Sequence, residues 1–295
     1  MSFGGAYVVP AGQRLSGVSQ LSADAIFSII DRACALAEDW LQGTMPQTLK
    51  GKRVGLIVDD TGWRNTAAFD LGIQAMGGTC VTVPINFNGR EEIADLAGYL
   101  DNWFDLLIIR TKELSTLRAL AADMRAPVIN ARTKFNHPCE TLGDLAYVKS
   151  LRGQTAGLKI VGVAPDANIL RSWVEASISL PIQVTQVYPD QWHVTDAALI
   201  NPNFRASTDM DELLDADVVI TDSWPSHANH HLADYRISAS LLDRMRSDVI
   251  FLPCPPVSRG QEVTADAMAH PACQSRSAKA FLLHAQNALM EFLLA

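Results

Sequence analysis

The sequence has no Cys-x-x-Cys pair. Its five cysteines, Cys34, Cys80, Cys139, Cys254 and Cys273, are odd in number and far apart, which argues against a disulfide framework and a thiolate zinc site and fits a reducing, cytoplasmic setting. No apolar run approaches the roughly 18 residues that span a bilayer. The opening MSFGGAYVVPAGQRL lacks a basic stretch followed by an apolar one, so neither secretion nor membrane insertion is expected. Lysine and arginine are scarce and unclustered, 24 against 32 acidic residues, and the net charge of -8 argues against a nucleic-acid partner. Low-complexity segments and heptads are also absent. What remains, 48% hydrophobic and 19% charged residues over 295 positions, is the composition of a soluble globule long enough for two domains of ~150 residues.

Apolar residues at Ile26, Ile29, Ile30, Ala33, Leu36, Ala37, Trp40 and Leu41 trace one helical face, and Ser22 and Gly43 are suited to cap it. Short apolar runs then predict strands over 53–58, 80–84, 104–109 and 127–130, with helices near 65–76, 91–99 and 114–124 between them. After a glycine-punctuated stretch the grammar restarts: strands at 158–163, 183–187, 217–221 and 248–252, and a helix near 169–177. A last helix is predicted over 278–295. The expected fold class is α/β, with two doubly wound parallel-sheet domains and a cleft between them. The expected division is 1–150, 151–275, and a C-terminal helix at 276–295 that returns to the first domain.

In open parallel sheets ligands bind beyond the carboxyl ends of the strands. Those positions are polar here: Asp59, Asp60, Thr61, Gly62, Trp63, Arg64 and Asn65 after one strand, Arg110 after another, and Asn130, Ala131, Arg132 and Thr133 after a third. In the second half Asn168, Asp222 with Ser223, Trp224 and Ser226, and Pro253 with Cys254 take the equivalent places. Arginines from one half should thus face an acid and amides from the other.

Several of these segments resemble one family. His137-Pro138-Cys139-Glu140, followed by Leu142 and Asp144-Leu145, is similar to the HPCQ-x-LAD signature of the aspartate/ornithine carbamoyltransferases. Asp222-Ser223-Trp224 with Ser226 resembles the D-x-W-x-S-M-G of the ornithine branch, Arg259-Gly260-Gln261-Glu262-Val263 its RGEEV, and Leu283-His284-Ala285-Gln286 its LHAQ. The order holds from about residue 50 onward. The resemblance implies a carbamoyl phosphate domain, an amino-acid domain, a homotrimer, and no cofactor or metal. It implies that Arg64 and Arg110 are the phosphate and carbonyl ligands, that His137 donates to the carbonyl oxygen, and that Trp63, Asn65 and Glu140 line the donor side. Asn168, Asp222 and Ser226 would hold the amino-acid acceptor, and Cys254 would lie near the attacking amine.

The chain also departs from that pattern. Gly62-Trp63-Arg64-Asn65 stands where the family has S-T-R-T, Glu140 replaces an amide, and Leu282 stands where an arginine precedes LHAQ; Arg276 or Lys279 lies within about one turn of it. Glu140 is expected either to repel phosphate or to pair with a cation such as Arg64. Three functions stay open: a transferase acting on an amino acid with a side-chain amine, a non-catalytic ligand-binding relative, and an enzyme of another class using Asp59, Asp60 or Glu140. His227, His230 and His231 are expected to form a solvated loop, with no metal role.

Overall fold

The computed structural model describes residues 14–58, 62–87, 89–225 and 232–295. In chain order the elements are β1 (Arg14–Leu15), α1 (Ala23–Gln42), β2 (Arg53–Val58), α2 (Trp63–Ala75), β3 (Thr79–Thr82), α3 (Ile93–Asp101), β4 (Leu106–Arg110), α4 (Leu114–Asp123), β5 (Val128–Arg132) and α5 (Pro138–Arg152). The second half continues with β6 (Lys159–Val163), α6 (Asn168–Ser179), β7 (Gln183–Val187), β8 (Phe204–Ser207), β9 (Val218–Thr221), α7 (Ala239–Leu242), β10 (Ile250–Pro253) and α8 (Ser275–Leu294).

The expected α/β class is what the chain adopts. One parallel sheet runs β1-β5-β4-β2-β3 and the other β10-β9-β6-β7-β8. β1 and β8 carry little apolar periodicity and were not anticipated. β8 is half exposed, and β1 spans two residues held by pairing to Val128 and Ile129 of β5.

Sequence capping logic holds at the long helices. The Ser22 hydroxyl accepts the Ala25 N–H at the start of α1, and Gly43 ends it in the left-handed conformation at φ 69°. α5 begins with Pro138, whose missing N–H costs nothing at a helix start, and carries Lys149 and Arg152 in its last turn.

α8 is buried along most of its circumference by α1, α2 and α5. Its Glu291 accepts two hydrogen bonds from Arg32 of α1, at 2.6 and 3.0 Å, and one from Thr48 at 2.6 Å. Gly143 of α5 lies so close to α8 that a Cβ there would sit 3.1 Å from the Leu282 Cα. The last helix therefore completes the first half of the molecule, and a continuous buried cluster runs from it through α1 and α5 into α6 and β6.

Candidate active site

Strand order locates the cleft. In the first sheet the connections leave β2 toward β3 and then return across it to β4, which makes the carboxyl end between β2 and β4 a switch point. The start of α2 and the end of β4 meet there. In the second sheet the same reversal falls between β6 and β9, whose following residues are those that lead to Asn168 and Asp222.

On the first side Arg110 lies directly over Gly62, where a Cβ would fall 2.0 Å from the Arg110 Nε. A side chain at position 62 would have to push that guanidinium aside. Arg64 opens α2 with its guanidinium 5.0 Å from the centre of the Trp63 ring, which is 66% exposed. Asn65 turns inward instead: its amide donates to the Ala131 carbonyl at 3.3 Å and accepts from Gln286 of α8 at 3.1 Å. That amide joins α2 to β5 and α8.

His137 caps α5, and its backbone N–H donates to the Ser172 hydroxyl at 2.7 Å. The ring is enclosed, and Nδ1 has no hydrogen-bond partner among the described residues. Burial pushes its pKa well below the ordinary histidine value, and Lys279, Arg110 and Arg132 push it the same way. The ring is therefore neutral near pH 7, with one nitrogen a donor and the other an acceptor.

Glu140 lies one turn along α5, with Oε2 3.8 Å from His137 Nε2. Its partner is Lys279 of α8, in direct contact. The parallel spacing explains the pair: Glu140 and Gly143 on α5 match Lys279 and Leu282 on α8, so the close approach at Gly143 seats the ammonium on the carboxylate. Leu282 is buried, and Lys279 brings a cation to this cleft in the place of the expected arginine. Burial, then the charge of Arg64, lowers Lys279 to about 7. The partner of Glu140 is therefore Lys279 and not Arg64.

On the second side Asn168 begins α6, and its amide donates to the Thr133 carbonyl at 2.9 Å, crossing between the halves. Asp222 follows β9 and accepts the Ser223 N–H at 2.7 Å. Burial raises its pKa to about 6, opposed by the Ser223 hydrogen bond and the charge of Arg132. Ser226, Asp59, Asp60, His227, His230 and His231 lie outside the described residues. Among the described residues no group of histidine, cysteine and acidic side chains is arranged to hold a metal.

Cys254 follows β10, its N–H donating to the Thr221 carbonyl at 3.1 Å. Burial, Asp222 and Asp144 push its thiol well above the ordinary cysteine value, against the pull of Arg132 and Arg64. A protonated thiol is a poor nucleophile. Cys254→Ser is expected to keep activity within about threefold, since serine preserves a small polar lining group; complete loss with an unchanged thermal transition would overturn that expectation.

Arg132 was legible only as one polar residue in a strand-end run. In the register of the first sheet it stands beside Arg110, and its charge acts on His137, Asp222 and Cys254 together. It therefore lies between the two groups of predicted site residues.

Comparison with known proteins places the chain in a family. The carbamoyl-P binding domain profile of aspartate/ornithine carbamoyltransferase matches residues 13–150, and the Asp/Orn binding domain profile matches residues 156–293. The chain belongs to the aspartate/ornithine carbamoyltransferase family. It is 29% identical to an ornithine carbamoyltransferase of Oceanobacillus iheyensis, with 96% of this chain and 95% of that protein covered. An ornithine carbamoyltransferase of Roseobacter denitrificans is 30% identical, covering 84% of this chain and 87% of the relative. The crystal structure of ornithine carbamoyltransferase from Burkholderia thailandensis superimposes with a TM-score of 0.90 at 26% identity, covering 96% of this chain and 98% of that one.

Proposed function

We propose that the chain is a carbamoyltransferase-type enzyme that moves a carbamoyl or related acyl group onto the side-chain amine of an ornithine-like amino acid. What supports this reading is that the charge of Arg132 reaches His137 from one half and Asp222 and Cys254 from the other, with Arg110 beside it in the sheet and Asn168 hydrogen-bonded across to Thr133. In this reading residues 1–150 form the donor half, 151–275 the acceptor half, and 276–295 the helix returning to the donor half.

Arg64 and Arg110 are suited to hold a leaving phosphate through charge-assisted hydrogen bonds. A neutral imidazole at His137 donates to the carbonyl oxygen and stabilises the negative charge that develops there. Asp222 and Asn168 hold the backbone end of the amino acid, with Ser226 assigned to the same task from its motif. The neutral amine attacks the carbonyl carbon, an N–C bond forms, the C–O bond to phosphate breaks, and the amine proton departs with the phosphate. Cys254 lines the attacking side without forming a bond. Trp63 and Glu140 shape the donor side, and no cofactor is required.

The test is transfer from carbamoyl phosphate to ornithine and to shorter and longer diamino acids, read by mass spectrometry of the product. Absence of transfer to every acceptor, together with acceptor-dependent thermal stabilisation, would favour a non-catalytic binding relative; the observation behind that second reading is the commitment of Lys279 to Glu140. A homotrimer is the proposed assembly. Trp63 and Leu71, two turns apart on α2, leave large apolar surface exposed, as does Val81 in β3. Light scattering at micromolar concentration is expected to give three times the 32.1 kDa chain mass; a monomer would exclude it. Among the described residues no helix is long and apolar enough to cross a membrane, and a cytoplasmic location is the accompanying proposal.

A further inference from the structure

A buried carboxylate that the reaction above does not use sits behind His137. Three side chains of α6, spaced at i, i+4 and i+7, hold the segment 133–137 of the other half. Asn168 donates to the Thr133 carbonyl at 2.9 Å, Ser172 accepts the His137 N–H at 2.7 Å, and Glu175 Oε1 accepts from the Asn136 amide at 2.9 Å. The other oxygen, Oε2, accepts the Val18 N–H at 3.0 Å. Glu175 is 4% exposed, and at Gly17 a Cβ would lie 2.7 Å from Oε1.

The orientation of Asn136 is fixed. Its Nδ2 also donates to the Ser16 carbonyl at 2.8 Å, while its Oδ1 accepts from Asn130 at 2.7 Å and from the Thr133 hydroxyl at 3.1 Å. The amide cannot be reversed without losing all of these. Both oxygens of Glu175 therefore face donors, and a carboxylate, an acceptor at both oxygens, satisfies the site fully.

We infer that Glu175, with Ser172 one turn before it, is a positioning residue that sets His137 in the cleft from the opposite half, and that productive geometry requires the ionised carboxylate. This rests on the assignment of His137 as the carbonyl ligand. Burial raises Glu175 to about 7, while its hydrogen bonds to Asn136 and Val18 and the charges of Arg118 on α4 and Arg171 on α6 favour ionisation. Protonation within the neutral range would place an O–H against a fixed donor and loosen the segment that ends at His137.

The experiment compares the unmodified protein with Glu175→Gln and Ser172→Ala. Glu175→Gln is expected to lower kcat by about tenfold to a hundredfold with KM for the acceptor little changed, because misplacement of a catalytic group acts on the reacting geometry. The independent readout is the His137 ring signal in nitrogen-15 NMR. The signal is read in a Glu140→Gln/Lys279→Met background, which removes the ammonium near 7 that also acts on His137. There it should shift with a midpoint near pH 7 although His137 itself stays neutral, following Glu175, and on adding Glu175→Gln that step should vanish. Ser172→Ala should move the ring signal at every pH while keeping the step. An unchanged kcat and ring signal in a folded Glu175→Gln protein would overturn the inference, as would a flat pH response of the ring in the Glu140→Gln/Lys279→Met background should that variant not fold. If the unmodified protein transfers nothing, the functional reading fails separately, and the ring signal still decides whether Glu175 positions His137.

Discussion

Arg110→Ala is expected to remove carbamoyl transfer almost entirely while leaving the fold intact. The side chain sits at the carboxyl edge of its sheet, half-buried over Gly62 and close enough to His137 to depress its basicity. Hydrogen bonds to a charged group contribute about 1.5–3 kcal/mol each. A guanidinium that meets a phosphate through two of them supplies ~3–6 kcal/mol, or roughly a hundredfold to ten-thousandfold in kcat/KM. The strand itself is held by backbone pairing to β2 and β5, so thermal unfolding should hardly change. Calorimetric titration with inorganic phosphate and steady-state kinetics form the check. Unaltered phosphate binding by Arg110→Ala would take this arginine out of the site, and with it the reading of the β2/β4 switch point as an anion pocket.

Glu140→Gln should have the opposite sign. In the unmodified protein Lys279 is committed to Glu140, which leaves Arg64 and Arg110 as the predicted phosphate ligands, and carbamoyl phosphate is expected to bind at millimolar concentration or more weakly. The glutamine variant releases the ammonium toward the donor and should tighten binding by roughly tenfold to a hundredfold, the worth of one charge-assisted hydrogen bond. Lys279 already lies near 7 through burial and Arg64, and loss of Glu140 removes a charge that favours its protonated form. An anion binds only that protonated form. The gain should therefore be largest below pH 7, fade as pH rises, and be accompanied by proton uptake measurable in buffers of different ionisation heat. Lys279→Met provides the contrast, because it strands a buried carboxylate at a cost of about 3–5 kcal/mol of stability. Micromolar binding of carbamoyl phosphate by the unmodified protein would overturn the expectation of a weakened donor site.

The alternation of apolar runs was enough to place the two parallel sheets, because strands buried on both faces are nearly continuous in hydrophobicity and the intervening helices carry a different period. Arg64, Arg110, Asn168 and Asp222 were legible for a related reason: polar residues just after such strands have few roles in a core. Lys279 and Glu140 were not legible as a pair, because their contact depends on how closely α5 and α8 approach at Gly143, a distance that neither segment encodes alone. Asn65 looked like a ligand, yet its amide bridges Ala131 and Gln286, the latter 221 positions away in sequence. The stripe of Asn168, Ser172 and Glu175 was hidden inside a helix whose apolar residues dominate the pattern, and only the facing loop gives those three positions a common purpose.

The return of α8 to the first half also bears on how the molecule is made. Arg32 and Glu291 are 259 positions apart, and α8 supplies both the missing wall of the first core and the cation beside Glu140. A ribosome that has released only the first half has released an unfinished body, with the inner faces of α1, α2 and α5 awaiting a helix not yet synthesised. Loop closure over that span is slow compared with local helix formation. The wall that α8 contributes is thus the last part of that core to be put in place.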